Sequence, residues 1–311
     1  LCLATGRHDL ARAVLADHAG RTAAAVMGGG PGAPARALEA ALWLAHASFR
    51  FLEATGDRTF FRARLQETLF LAVETCRTGG RADVHVGADG LLVLEGADAG
   101  ALVGTRPVVP GPVHAIEVQA LWHNALLIAA EAARESGLAP RGAEWAALAA
   151  KVRDAVLRDF WLESRGHLAD TIGARGPVRD LGPAQLFAVG LPHALLPREK
   201  AAPVLEGVRR HLVTTRGLRG VAGETVWPHL AGIYFDAVIR IWGEVGKAEA
   251  WSWMDSFAPH LREGCVGQVS EAMSGEDGVP EGAPAYGPAV GEVLRVLVRL
   301  GRRPGRVVPG R

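Results

Sequence analysis

The chain has 311 residues, 49% of them hydrophobic, and its 34 Lys+Arg against 33 Asp+Glu give a formal net charge of +1. So balanced a charge lacks the basic footprint of a nucleic-acid binder, and no apolar run reaches the roughly 20 residues that a membrane span needs, so neither nucleic acid nor membrane is an expected partner. The opening residues do not read as a signal peptide, and Cys2, Cys76 and Cys265 lack the paired spacing of zinc or redox motifs, which together point to a soluble protein of the reducing cytoplasm.

In chain order, a first helix is predicted over 9–19, followed by the breaker run Gly28-Gly29-Gly30-Pro31-Gly32. That run reads as a loop, because a phosphate-cradling loop would continue into Gly-Lys-Ser/Thr. Leu38, Leu42, Ala45, Phe49 and Leu52 then step by three and four residues, the period of a helix buried on one face. Gly56-Asp57 ends it, and Phe61, Leu65, Leu69, Ala72 and Cys76 repeat the pattern as far as Gly79-Gly80. Periodicity disappears from Arg81 to Val113, a glycine- and proline-rich stretch of a length that is usually functional or disordered.

Helices resume over about 115–136 and 142–160, then over 183–191, 199–213, 228–243 and 247–262. A second glycine-rich loop, Glu263 to Pro288, precedes a final helix with Val290, Val293, Leu297 and Leu300 in step. The last residues, 301–311, carry four arginines among Gly and Pro and read as a disordered tail. Sequential helix pairs without a run of alternating strands predict an all-α fold in one domain over 1–300. Chained hairpins of this length suggest an (α/α)6 barrel; ten helices rather than twelve, in a chain that opens on Leu1, fit a fragment or processed piece lacking its N-terminal helix or helix pair.

In such a fold the ligand-contacting groups are expected on the long loops. The first loop holds Asp83, Asp89, Glu95 and Asp98, and the second holds Glu263, Glu271, Glu276, Asp277 and Glu281. One acid from each would supply the two carboxyls of glycoside hydrolysis, one protonating the leaving oxygen and the other activating water or attacking the sugar. Composition does not choose the members. The eleven histidines show no metal-ligand spacing, so no metal and no cofactor are expected. Trp253-Met254-Asp255 falls inside a helical stretch and is read as structural.

The order of motifs narrows the choice. Leu1-Cys2-Leu3-Ala4-Thr5-Gly6-Arg7, the stretch 41–57, Pro112 to Leu126 (P-V-H-A-I-E-V-Q-A-L-W-H-N-A-L), Thr225-Val226-Trp227-Pro228, Gly267 to Glu271 and Gly291 to Arg295 together resemble the amylo-α-1,6-glucosidase domain of glycogen debranching enzymes. The resemblance implies an inverting hydrolase of α-1,6 branches in glycogen-like α-glucan, with an upstream domain possible. It places the catalytic acid on Asp98 and the base on Glu271, with carboxyls about 6.5–9.5 Å apart. It places substrate contacts on Glu117 and Asn124, and further ones on Gln185, Arg219 and Trp227, with Glu39 standing where the family has aspartate. Trp122 or Trp227 would be the stacking platform for a sugar ring. The chain departs from the family at Gly96-Ala97, which replace Trp-Met before the acid, and at Tyr286-Gly287-Pro288-Ala289, which replace Q-A-W-S. Two alternatives stay open: a non-catalytic carbohydrate-binding or structural domain, and another (α/α)6 glucosidase of glucoamylase-like or trehalase-like specificity.

Overall fold

A computed structural model of the chain describes residues 1–27, 36–78, 84–95, 111–221, 223–264 and 266–301. Contacts divide the chain into an N-terminal unit, Cys2–Val204, and a C-terminal unit, Leu205–Arg311 with Leu1. The predicted tail beyond Gly301 lies outside the described residues.

The N-terminal unit opens with helices α1 (His8–Met27), α2 (Arg36–Thr55) and the single turn α3 (Arg58–Phe60), which leads through a π-helical turn into α4 (Gln66–Arg77). Asp57 starts this second arm as its cap: Oδ1 accepts the Phe60 N–H at 2.9 Å while Oδ2 accepts from Arg12 Nε at 3.0 Å. The spacing from Phe61 to Cys76 does what its period requires, since Phe61, Leu65, Leu69, Ala72 and Cys76 are all buried. In α2 the buried face turns away from prediction at its end, where Phe51 is buried while Phe49 and Leu52 are half-exposed.

Next come β1 (Val84–Val86), β2 (Leu92–Leu94) and β3 (Val113–Ala115), then α5 (Ile116–Glu135) and α6 (Ala139–Asp159). Four short strands follow: β4 (Trp161–Leu162), β5 (His167–Leu168), β6 (Thr171–Gly173) and β7 (Gly176–Pro177). The turn Pro183–Leu186 and α7 (Phe187–Gly190) lead to α8 (Arg198–His211), within which the boundary between units falls. Strands β1-β2-β3-β6-β7 form one antiparallel sheet, and β4-β5 form a two-stranded ladder.

Helix α5 is the axis of this unit. It is buried from Ile116 to Leu126 and through most of the remainder, on every side rather than along one stripe. A helix so enclosed must satisfy its polar side chains inside the protein. Gln119 does so on β2, its Oε1 accepting the Leu92 N–H at 2.9 Å and its Nε2 donating to the Leu92 carbonyl at 2.8 Å, as a neighbouring strand would. Trp122 Nε1 donates to Gly90 O at 3.3 Å.

The C-terminal unit continues with β8 (Val213–Thr214), β9 (Gly217–Arg219), β10 (Thr225–Trp227), α9 (Leu230–Trp242) and α10 (Glu244–Phe257). After the turn Ala258–Arg262 come β11 (Ala272–Ser274), β12 (Pro280–Glu281) and α11 (Gly287–Leu300). Its antiparallel sheet has the order β12-β11-β10-β9-β8, and α9 packs against both α10 and α11. Trp253 of α10 donates its Nε1 to Thr214 O at 2.8 Å and stacks on Phe257 at 4.7 Å, which confirms a structural role for that residue.

These three antiparallel sheets overturn the prediction of an all-α (α/α)6 toroid. The helices stand close to where periodicity put them, but the stretches read as featureless loops contain strands of two or three residues. A strand that short cannot display two-residue alternation, and the glycines that suggested loops are turn residues, such as Gly90 and Gly176, each at φ +88°.

Both units close a helical hairpin in the same way. A Cβ on Gly142 of α6 would lie 2.7 Å from Ala130 O of α5, and one on Gly246 of α10 would lie 2.6 Å from Val238 O of α9. Alanine raises helix propensity by about 1 kcal/mol, but here its methyl must displace a backbone carbonyl, and overpacking of that kind costs about 1–3 kcal/mol. Gly142→Ala and Gly246→Ala are therefore each expected to lower the urea midpoint; a gain in stability for either would refute the close-approach reading. Gln119→Leu strands the buried Leu92 N–H and is expected to cost about 1–3 kcal/mol in the same assay, whereas an unchanged midpoint would show the pairing to be dispensable.

Candidate active site

Glu271 stands immediately before β11. Val226 pairs with Met273 across the β10–β11 ladder, which brings Glu271 to the end of the ladder that carries Trp227. Its main chain and side chain are held by one residue: Glu271 N–H donates to Ala283 O at 2.9 Å, and Ala283 N–H donates to Glu271 Oε2 at 3.0 Å. Between them Gly282, at φ +70°, lies so close that a Cβ there would sit 2.7 Å from Oε2. Oε1 accepts no hydrogen bond from the described residues.

Around Glu271 the structure gathers groups that the sequence did not nominate. The His229 ring meets Trp227 edge-on at 5.7 Å and Tyr286 at 6.2 Å, forming a half-buried aromatic wall. Burial depresses the His229 pKa, opposed by the negative charges of Glu292 and Glu271, both of which favour its cation. Glu292 rests on the first turn of α9, where Gly232 leaves room for it. Arg295 donates to both of its oxygens, from Nε at 3.0 and 3.2 Å and from Nη2 at 2.7 Å, and also reaches Asp236 at 2.8 Å. Arg299 binds Asp236 as well.

The remaining predicted contacts are spread through both units. Asp98, and Asp83 with it, lie outside the described residues, although Leu94 pairs with Val113 so that the two ends of that stretch meet on one sheet. Trp122 is fully buried in the core. Glu117 is enclosed in the first turn of α5, and Asn124 on the same helix accepts the His193 N–H at 3.2 Å. Gln185 is buried, donating to Gly182 O at 2.8 Å and accepting the Leu168 N–H at 3.3 Å. Glu39 is half-exposed on α2. Arg219 Nη1 clamps two turns together through Gly223 O at 2.9 Å and Gly275 O at 2.8 Å. Of the predicted set, the β9–β10–β11 ladder brings Arg219, Trp227 and Glu271 onto one sheet, with Glu271 at the end that carries Trp227. Sequence reasoning passed over His229, Tyr286 and Glu292, although His229 directly follows the T-V-W-P motif that carried Trp227.

Among the described residues no group of three or more His, Cys, Asp or Glu is placed to hold a metal ion. An open groove elsewhere in the C-terminal unit, bordered by Arg209, Thr214, Glu249 and Trp253, does not include Glu271. Its acid is already engaged, since Glu249 accepts from the Tyr234 hydroxyl at 2.5 Å and faces Arg209 at 3.6 Å.

Three histidines are held neutral mainly by burial: His123, whose pKa is pushed down to about 4, and His229 and His260, which are lowered as well. The unfolded chain takes up protons near the ordinary imidazole value of 6.5, so it binds more protons than the native state just below that pH. Stability is therefore complete above pH 6.5 and is lost as pH falls, with the His123 share, about 3 kcal/mol, gone near pH 4. Urea titrations from pH 7 to pH 4 should show this slope, and His123→Gln should flatten it; equal slopes in the two proteins would refute the assignment.

Comparison with known proteins follows this geometry. No curated protein matches the chain significantly. The fold is similar to that in the crystal structure of a GH78 family rhamnosidase of Bacillus sp. GL1, with a TM-score of 0.57 and 14% identity over 84% of this chain and 26% of that one. It is also similar to a sialidase, with a TM-score of 0.64 and 10% identity over 82% of this chain and 25% of that one. The chain thus spans about a quarter of the length of either structure. No helix among the described residues is long and apolar enough to cross a membrane. The amylo-alpha-1,6-glucosidase family profile matches residues 1–225, a stretch that includes Asp98 and Trp122 and stops before Glu271. By that match the chain belongs to the amylo-alpha-1,6-glucosidase family.

Proposed function

We propose that the chain is a glycoside hydrolase that cleaves α-1,6-glucosidic branches of glycogen-like α-glucans with inversion, in a reducing cytoplasm, with Asp98 as the acid and Glu271 as the base. Family membership supports the reaction class. The observation that carries the base is the way Glu271 is engaged, in contrast to four other carboxylates of the C-terminal unit. Glu263, Glu292 and Asp236 each take an arginine, and Glu249 takes Tyr234 and Arg209. Glu271 takes one main-chain N–H, which fixes its direction, and Oε1 accepts no hydrogen bond from the described residues. A general base needs that combination, because an arginine on both oxygens would occupy the lone pair that must receive the proton from water.

In this reading Asp98 protonates the glycosidic oxygen while Glu271 draws a proton from water attacking the opposite face of the anomeric carbon. Asp98 must then be protonated at working pH and Glu271 ionised. Trp227, His229 and Tyr286 give the sugar an aromatic wall beside the base. Gly96-Ala97 in front of the acid and the end of the family match at residue 225 favour a second reading, a domain that binds glucan without cleaving it.

Glu271→Gln and Asp98→Asn are each expected to lower glucose release from a limit dextrin by about 10³-fold or more. Proton NMR of the first turnovers should show β-glucose, the inverted anomer. Wild-type rates in both variants would end the two-carboxylate reading, α-glucose would end the inverting one, and dextrin binding without turnover by the unaltered chain would establish the second.

A further inference from the structure

We propose that His260 is a positioning residue for Glu271, acting through the main chain of Ser270. This rests on the reading of Glu271 as base. His260 is completely buried on the turn that follows α10. The Ser270 N–H donates to His260 Nε2 at 3.3 Å. An N–H directed at a ring nitrogen requires that nitrogen to be unprotonated, so the imidazole hydrogen sits on Nδ1. Nδ1 faces Glu263 Oε2 at 3.7 Å, an electrostatic contact beyond hydrogen-bond distance. Glu263 is held in turn by both terminal nitrogens of Arg216, with Nη2 to Oε1 at 2.9 Å. Arg216 is fixed at its own main chain, where its N–H donates to Thr214 Oγ1 at 3.1 Å.

A line of contacts therefore runs from the β8–β9 turn through Arg216, Glu263 and His260 to the peptide N–H of the residue before the base. Ser270 is itself buried, and Glu271 is tied on its other side to Ala283. The base is thus held between a main-chain anchor and an imidazole acceptor. The acceptor is conditional. A second proton on His260 would turn Nε2 into a donor facing another donor, and the Ser270 peptide would have to move. The charged groups facing the ring are Arg216, which opposes that proton, and Glu263, which favours it; burial and Arg216 together keep the ring neutral, with its pKa lowered. Reacting groups tolerate little misplacement, and a shift of about 1 Å costs on the order of 10²-fold in rate.

The test compares His260→Leu, which removes the acceptor, with His260→Gln, whose side-chain oxygen restores an acceptor near Nε2 but does not titrate. Hydrogen-exchange mass spectrometry over 266–275 reads the anchor without reference to activity. Exchange there is expected to quicken about tenfold or more in His260→Leu and to stay near wild type in His260→Gln. On limit dextrin, kcat should fall about 10–100-fold in His260→Leu with KM changed less than threefold. His260→Gln should keep kcat within about threefold and extend activity to lower pH than wild type.

Unchanged exchange in His260→Leu, or equal loss in the Leu and Gln variants, would overturn the proposal. If His260→Leu does not fold, an acid limb in His260→Gln identical to that of wild type would overturn it. Failure of the underlying reading looks different: Glu271→Gln would then hydrolyse at the wild-type rate. A dead Glu271→Gln beside a fully active, folded His260→Leu would remove this inference alone.

Discussion

The N-terminal unit depends on one constraint, the enclosure of α5 on all sides. Between Ile116 and Leu126 the helix has no solvent face, so a polar side chain there can be satisfied only within the protein. Gln119 meets that demand by pairing with both backbone groups of Leu92, and in doing so it attaches the β1–β2 hairpin to the helix. Trp122 does the same at Gly90. Trp122, whose place in the motif first suggested a stacking platform for sugar, thus helps Gln119 fasten a sheet to a buried helix. The opening letters of that helix specify the framework more directly than they specify the reaction.

The C-terminal unit solves a different problem. Its sheet strands are two or three residues long, too short to be stable through ladder bonds alone. Side-chain clamps supplement them: Arg219 joins two turns through their carbonyls, Arg216 grips Glu263, and Arg295 ties Glu292 to Asp236 between α11 and α9. Arg216 and Arg295 thus pair with Glu263, Glu292 and Asp236. Glu271, by contrast with these, is held by a peptide N–H rather than a cation.

How much of this was legible in the sequence follows from length scales. Helices of a dozen residues or more repeat their period several times, and Leu65, Leu69 and Cys76 or Val204 and Val208 revealed their buried faces plainly. Strands such as Val84–Val86 contain less than two periods, so the sheets were read as loops and the fold class with them. Glu271 and Trp227 each sit in a contiguous motif, S-E and T-V-W-P, and the β10–β11 ladder brings the two motifs to one end of a sheet. His229, Tyr286 and Glu292 share no contiguous pattern: they come from the end of one strand, the approach to a helix and the first turns of that helix. His260 was invisible for the same reason, since its partners Arg216 and Ser270 lie far from it in sequence and nothing in a single histidine announces them.

The choice of histidine at these enclosed positions has its own logic. A buried arginine or glutamate needs a counter-charge, and two desolvated ions cost more to bury than a neutral ring that both donates and accepts. Neutral imidazole can therefore accept a peptide N–H in an enclosed place, as His260 does from Ser270, with Glu263 3.7 Å from its other nitrogen. The same property makes the contact sensitive to acid, because one added proton abolishes the acceptor and places a buried charge beside both Arg216 and Glu263. Under the proposed roles of Glu271 and His260, the lower pH limit is set partly by the framework, by a ring that must stay neutral to accept the Ser270 N–H, and not by the carboxyls alone.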